Sequence, residues 1–194
     1  MREILKMVCI LSLICGLSGL TLSFLKEVTT ERIEEQKLVF VQGPALAQVF
    51  DKADNDPVKD RKKFTLPSGE DVVVFPAMEQ GKLTGVAIET FGRGYGGDLG
   101  IMVGLDLVND KLAGIGTTTL KETPGIGSKV AKHGFTAQFK GHALDGLALT
   151  STGGDIEAVS GASVSSGAAM EAIGKALTIY ESLKDQFATT WPSS

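Results

Sequence analysis

An α+β fold, an antiparallel sheet flanked by helices, is predicted by three features of this 194-residue chain. Ile101, Val103, Leu105 and Leu107 alternate at period two, which places them on one face of a strand. Ala169, Ile173, Ala176, Tyr180, Leu183 and Phe187 recur at intervals of four and three, an apolar stripe along one side of a helix. Turn residues at Pro67-Ser-Gly69, Gln80-Gly81 and Asn109-Asp110 separate short apolar runs, and the last of them joins its two runs as an antiparallel hairpin.

The chain opens with a different kind of segment. Met7 to Leu25 carries no charged side chain, and as a helix these nineteen residues span about 30 Å, the thickness of a bilayer's hydrocarbon core. Arg2 and Lys6 precede the run, so residues 1–6 are expected in the cytoplasm and everything after residue 25 outside it. A cleaved signal peptide is the competing reading. The run is long for a signal core, no Ala-x-Ala site ends it, and Ile14 stands before Cys15 where a lipoprotein signal needs a small residue. The expectation is a single membrane anchor.

Residues 26–63 read as a helical linker and the first part of the exported domain. Val28, Ile33, Leu38 and Val39 follow loose helical spacing from Lys26 to about Ala53, with a break at Gly43-Pro44. Asp51 to Lys63 is charged, contains Pro57 and reads as a loop. Asp51, Asp54 and Asp56 resemble the start of a calcium loop but lack its glycine and its twelfth-position glutamate. The folded domain occupies 64–194: strands at Val72–Phe75, Leu83–Phe91, Ile101–Leu107 and Leu112–Leu120, a turn-rich stretch at Lys121–Lys129, and the C-terminal helix starting among Ser163–Ser166, a run of N-cap residues.

Composition narrows the function. A net charge of −4 argues against a nucleic-acid partner. Cys9 and Cys15 both lie in the first apolar run, leaving no thiol for a disulfide, metal site or nucleophile in the domain. His133 and His142 have no Cys or paired carboxylate at ligand spacing and read as solvent-exposed loop histidines. Gly92-Arg-Gly94-Tyr-Gly96-Gly97 contains G-x-G-x-x-G, but a strand follows it where a dinucleotide site needs a helix; a glycine-rich strand connection is the better reading. Gly161-Ala-Ser163-Val-Ser165 lacks the second glycine of a nucleophile elbow.

Two clusters keep a functional reading beside a structural one. Leu120-Lys-Glu122-Thr123-Pro-Gly125-Ile-Gly127-Ser128 is a turn with Pro124 second and Gly125 supplying positive φ third, and it also suits the edge of a cofactor. Ser160-Gly161-Ala162-Ser163 either caps the last helix or offers an anion the unpaired N–H groups and positive dipole end of that helix.

Together with the N-terminal span, Gly94-Tyr-Gly-Gly97, Met102-Val-Gly-Leu-Asp106, Lys121–Gly127 and Gln138-Phe-Lys-Gly141, in this order, the Ser-Gly-Ala-Ser helix start resembles the FMN-binding subunits of respiratory ion pumps. The likeness is to the G-type subunit of the Rnf electron-transport complex and, as an alternative, to the C-type subunit of the sodium-translocating NADH:quinone reductase. The resemblance implies an FMN joined covalently through its phosphate to the last residue of the motif, here Ser163, by a dedicated flavin transferase outside the cytoplasm. It implies Ser160, Gly161, Ala162, Glu122, Thr123, Gly125 and Gly127 around the flavin. It also implies a subunit relaying electrons within an ion-translocating ferredoxin:NAD+ oxidoreductase, with the other subunits and the membrane as partners and no residue acting as a general acid or base. The family usually has threonine at the acceptor and aspartate where Glu157 stands; both replacements keep the functional group. A non-redox exported binding domain, its serines only capping a helix, is the remaining alternative.

Overall fold

The computed structural model describes residues 1–50 and 52–191, with Asp51 of the acidic stretch outside it. Two units are separable, residues 1–39 and 40–194. The first is nearly all helix α1 (Arg2–Lys37), and the uncharged run sits within it without interruption. Arg2–Thr30 is long and apolar enough to cross a membrane, with a mean hydropathy of 2.2 over its best window and none of that window buried. The expected break at Gly43-Pro44 takes the form of a π-helical turn, Leu38–Gln42, directly before helix α2 (Gly43–Val49). Proline has no N–H to give the preceding turn, so it sits in the first turn of α2, where none is needed.

Strands β1 (Lys62–Thr65), β2 (Asp71–Glu79), β3 (Lys82–Arg93), β4 (Asp98–Asp106) and β5 (Lys111–Leu120) form one sheet in sequence order, every pair antiparallel. Leu107, placed on the strand face by its spacing, lies instead in the β4–β5 turn. Asp106 ends the strand there: its Oδ1 accepts the amides of Val108 at 2.9 Å and Asn109 at 3.0 Å. Asp54 and Asp56 likewise engage backbone amides, of Gln80 at 2.8 Å and of Val58 at 3.1 Å.

Helix α4 (Ser163–Thr190) covers one face of the sheet and α2 the other. The six residues of the C-terminal stripe are all buried, and they share a core with Leu99, Ile101, Val103 and Leu105 of β4. On the opposite face the sheet is thinned with glycine so that α2 can lie close. A Cβ on Gly104 would strike Val49, and one on Gly116 would come within 2.6 Å of the Ala45 carbonyl.

The segment between β5 and α4 holds short helical turns, Gly127–Ala131, α3 (His133–Thr136), Ala137–Phe139 and Thr150–Thr152. Here the structure corrects the sequence-based expectation for His142. Its side chain is only 13% exposed and its Nε2 lies 2.8 and 2.9 Å from the two Asp155 oxygens. Nδ1 lies 2.7 Å from the Ala143 carbonyl. Both ring nitrogens face acceptors, an arrangement that only the doubly protonated imidazolium satisfies. The Ala143 carbonyl, and then Asp155, raise its pKa above the ordinary 6.5 against the opposing effect of burial.

Because this pKa is raised on folding, the stabilisation is complete below the unfolded value and is lost as pH rises through the folded one. Thermal melts between about pH 6 and about pH 9 should show stability declining, and His142→Gln should remove that decline. An unchanged slope in the variant would show that the pair contributes nothing.

Candidate functional site

The end of β3 fixes where α4 begins. Thr90 Oγ1 donates to the Ala172 carbonyl at 2.7 Å, Lys175 Nζ to the Phe91 carbonyl at 2.8 Å, and the Arg93 amide to Glu171 at 3.2 Å. Gly92 lets the helix lie on the strand, since a Cβ there would overlap the Ala168 carbonyl. This seats the first turn of α4 beside the β3–β4 connection, the glycine-rich Gly94–Gly97, whose Gly94 amide donates to the Gly97 carbonyl at 2.9 Å. The strand-connection reading of that motif is the one the fold adopts.

The two sequence clusters meet here, built from turns of the same design. The Ile126 amide closes Thr123–Ile126 onto the Thr123 carbonyl at 3.2 Å, with Gly125 third at φ +78. The Ala162 amide closes Val159–Ala162 onto the Val159 carbonyl at 2.9 Å, with Gly161 third at φ +77. A positive φ at the third position is glycine's conformation, which is why each turn carries one. Between the turns lies a cavity of about 520 Å³ lined by Tyr95, Glu122, Thr123, Ile126, Gly127, Gly161, Ala162, Ser163, Val164 and Ser165.

Six of the eight residues singled out by sequence therefore share one cavity: Glu122, Thr123, Gly127, Gly161, Ala162 and Ser163. Gly125 and Ser160 do not line it; each occupies an exposed turn corner beside it.

The four hydroxyls at the helix start separate clearly. Ser166 is buried, and its Oγ donates to the Ala162 carbonyl and accepts the Val159 amide, both at 3.0 Å. Ser165 is 2% exposed. Ser163 is exposed, lines the cavity, and its hydroxyl makes no hydrogen bond among the described residues.

The expectation that serines cap this helix is corrected. The N-cap is Ala162, and no side chain caps the helix. The first amides of a 28-residue helix are thus left without a capping oxygen at the rim of the cavity. The donor set suits an anion, and the cavity falls within the size range of small-molecule sites.

Glu122 is buried although the residues on either side of it are exposed. It is 8% exposed, with Oε1 accepting the Tyr95 amide at 3.0 Å and Oε2 the Gly96 amide at 3.2 Å. Four lining residues escaped the sequence reading: Tyr95, Ile126, Val164 and Ser165. A usable signal existed for two of them, because Tyr95 and Ile126 are large apolar residues set singly among glycines in turns.

Residues 94–178 match the family described as FMN-binding domain. The G-type subunit of the ion-translocating oxidoreductase complex of Stutzerimonas stutzeri is 31% identical over 182 residues, covering 86% of this chain and 76% of that protein. The corresponding subunit of Methanosarcina acetivorans is 24% identical, covering 91% and 94%. Among solved structures, the C-type subunit of the Na(+)-translocating NADH-quinone reductase from Parabacteroides distasonis superposes with a TM-score of 0.52 at 22% identity, covering 66% of this chain and 67% of that one. NqrC from Shewanella oneidensis gives 0.53 at 23% identity, covering 62% and 63%.

Proposed function

Because the chain belongs to the family of G-type subunits of ion-translocating oxidoreductase complexes, we propose that it is the membrane-anchored flavoprotein subunit of an Rnf-type ferredoxin:NAD+ oxidoreductase. In this reading FMN is bonded through its phosphate to Ser163 Oγ, and the chain relays electrons among the other subunits. When bound, FMN supplies one- and two-electron redox chemistry.

One observation carries the reading: Ser163 is an exposed hydroxyl without a protein partner among the described residues, at the uncapped start of a long helix, facing a cavity of about 520 Å³. The residues present fit the group. The amides at the start of α4 and the helix dipole would hold the negatively charged phosphate. Thr123 adds an exposed hydroxyl, while Ile126, Val164 and Tyr95 supply apolar walls for a flat ring system. Exposure of Ser163 leaves it open to a flavin transferase. Producing the full chain with such a transferase should give a yellow protein that keeps its FMN after denaturation. A colourless product, from a transferase active on another acceptor protein, would overturn the reading.

We assign the domain to the extracytoplasmic side, with α1 as the anchor, because Arg2 and Lys6 precede the uncharged run. Reporter fusions at the C-terminus test this, and activity of a cytoplasm-only reporter would sink the topology.

Gly125 is assigned an indirect part, shaping the turn that carries Thr123 and Ile126. Gly125→Val should cost about 1–3 kcal/mol through left-handed strain and shift the flavin's absorbance or potential. A folded variant with both unchanged would show the turn to be structural alone.

A further inference from the structure

We propose that Glu122 is a positioning residue that holds the Tyr95 ring as the aromatic wall against which the flavin ring system lies. The inference rests on the reading of Ser163 as the FMN acceptor. Glu122 lines the cavity, yet its carboxylate is committed to the protein: Oε1 accepts the Tyr95 amide at 3.0 Å and Oε2 the Gly96 amide at 3.2 Å. Two consecutive amides of one turn are gripped by a single carboxylate, and such charge-assisted bonds are among the stronger ones in proteins.

The group is also boxed in. A Cβ on Gly94 would overlap Oε1, and one on Gly127 would lie 2.6 Å from Oε2. Gly94 of the strand connection and Gly127 at the start of the Gly127–Ala131 turn thus close around the carboxylate, so Glu122 acts on the backbone of the Gly94–Gly97 connection.

What that connection presents is Tyr95. The residue is 80% exposed, above every other large apolar residue described in 40–191. The phenol makes no hydrogen bond and the ring no aromatic contact among the described residues. A bare aromatic ring beside a mostly apolar cavity is the surface on which a planar aromatic ligand stacks. Ser163 lines the same cavity, so a phosphate anchored there leaves the ring system within the space that Tyr95 borders.

The test uses the flavin-loaded full chain in detergent, and reads flavin fluorescence, which a stacked tyrosine quenches. Intact mass first establishes FMN on each variant; its absence from the native chain would refute the flavin reading and leave the positioning claim to the amide measurement below. Tyr95→Ala, at an exposed position that does not threaten the fold, should raise the fluorescence several-fold, and Tyr95→Trp should keep it quenched. Glu122→Gln retains one acceptor but sets an NH2 against a backbone N–H, so it should raise the fluorescence in part. In the Tyr95→Ala background Glu122→Gln should add nothing. In the flavin-free protein Glu122→Gln should speed hydrogen exchange at the Tyr95 and Gly96 amides. Unchanged fluorescence in Tyr95→Ala, an undiminished Glu122→Gln effect without Tyr95, or unchanged amide exchange would each overturn the proposal.

Discussion

Ser163→Ala is expected to leave the protein folded and without covalent flavin, the largest functional effect of any single substitution in this chain. The fold should survive because Ser163 Oγ supports nothing: the residue is exposed, and α4 has no side-chain cap to lose. Alanine also favours the helix, so the first turn should form at least as readily. Ser163→Thr should be modified at least as completely as the native chain, since it restores the hydroxyl with a more restricted rotamer. Ser160 and Ser165 serve as controls. One sits at a turn corner outside the cavity and the other is 2% exposed, so Ser160→Ala and Ser165→Ala should keep the flavin. Peptide mass spectrometry decides the matter. FMN-derived mass on a fragment lacking Ser163, or flavin fluorescence surviving denaturation in Ser163→Ala, would move the attachment elsewhere.

Phe187→Ala should produce the largest loss of stability, about 3–5 kcal/mol for a fully buried aromatic. In a chain of this size that corresponds to a fall in Tm of roughly 6–20 °C. Phe187 is 1% exposed and holds three rings together: Phe64 edge-on at 5.5 Å, Tyr180 stacked at 6.2 Å and Trp191 at 6.2 Å. Phe64 is the one buried residue of β1, a four-residue edge strand paired only with β2. Without Phe187 that strand loses one of its two aromatic partners, Trp191 at 5.5 Å being the other, so amides of residues 62–65 should exchange faster than those of β3 and β4. A loss below about 1 kcal/mol in thermal melts would show the cluster to be loosely packed.

How much of this was legible beforehand depended on the range over which each residue acts. The period-two run of β4, the α4 stripe and the Thr123–Ile126 turn are local patterns, each readable within a window of residues that fold together. The family motif singles out Ser163 among its neighbours, while the structure separates the four hydroxyls through burial and through which of them line the cavity, which no local pattern encodes. The burial of Glu122 and of His142 is hidden from a local reading for the same reason. The partners of Glu122 lie 26 and 27 residues away, and Asp155 lies 13 residues beyond His142. Tyr95 carries a local signal, a large ring set among glycines, but only the cavity beside it gives that exposed ring a role. The π-helical turn before α2 has no pattern of its own in the sequence.

The long reach between β3 and α4 also dictates a timetable. The sheet is a meander in which every strand pairs with its neighbour in sequence, so its contacts close small loops and form early. The hydrogen bond from Thr90 to Ala172 spans 82 residues, and the helix it fixes follows every strand of the sheet in the chain. Ser163 consequently reaches its place only after the whole sheet exists to receive it. Were a transferase to read the completed cavity, it would pass over unfolded chains, and a flavin at Ser163 would then certify that the domain had finished folding.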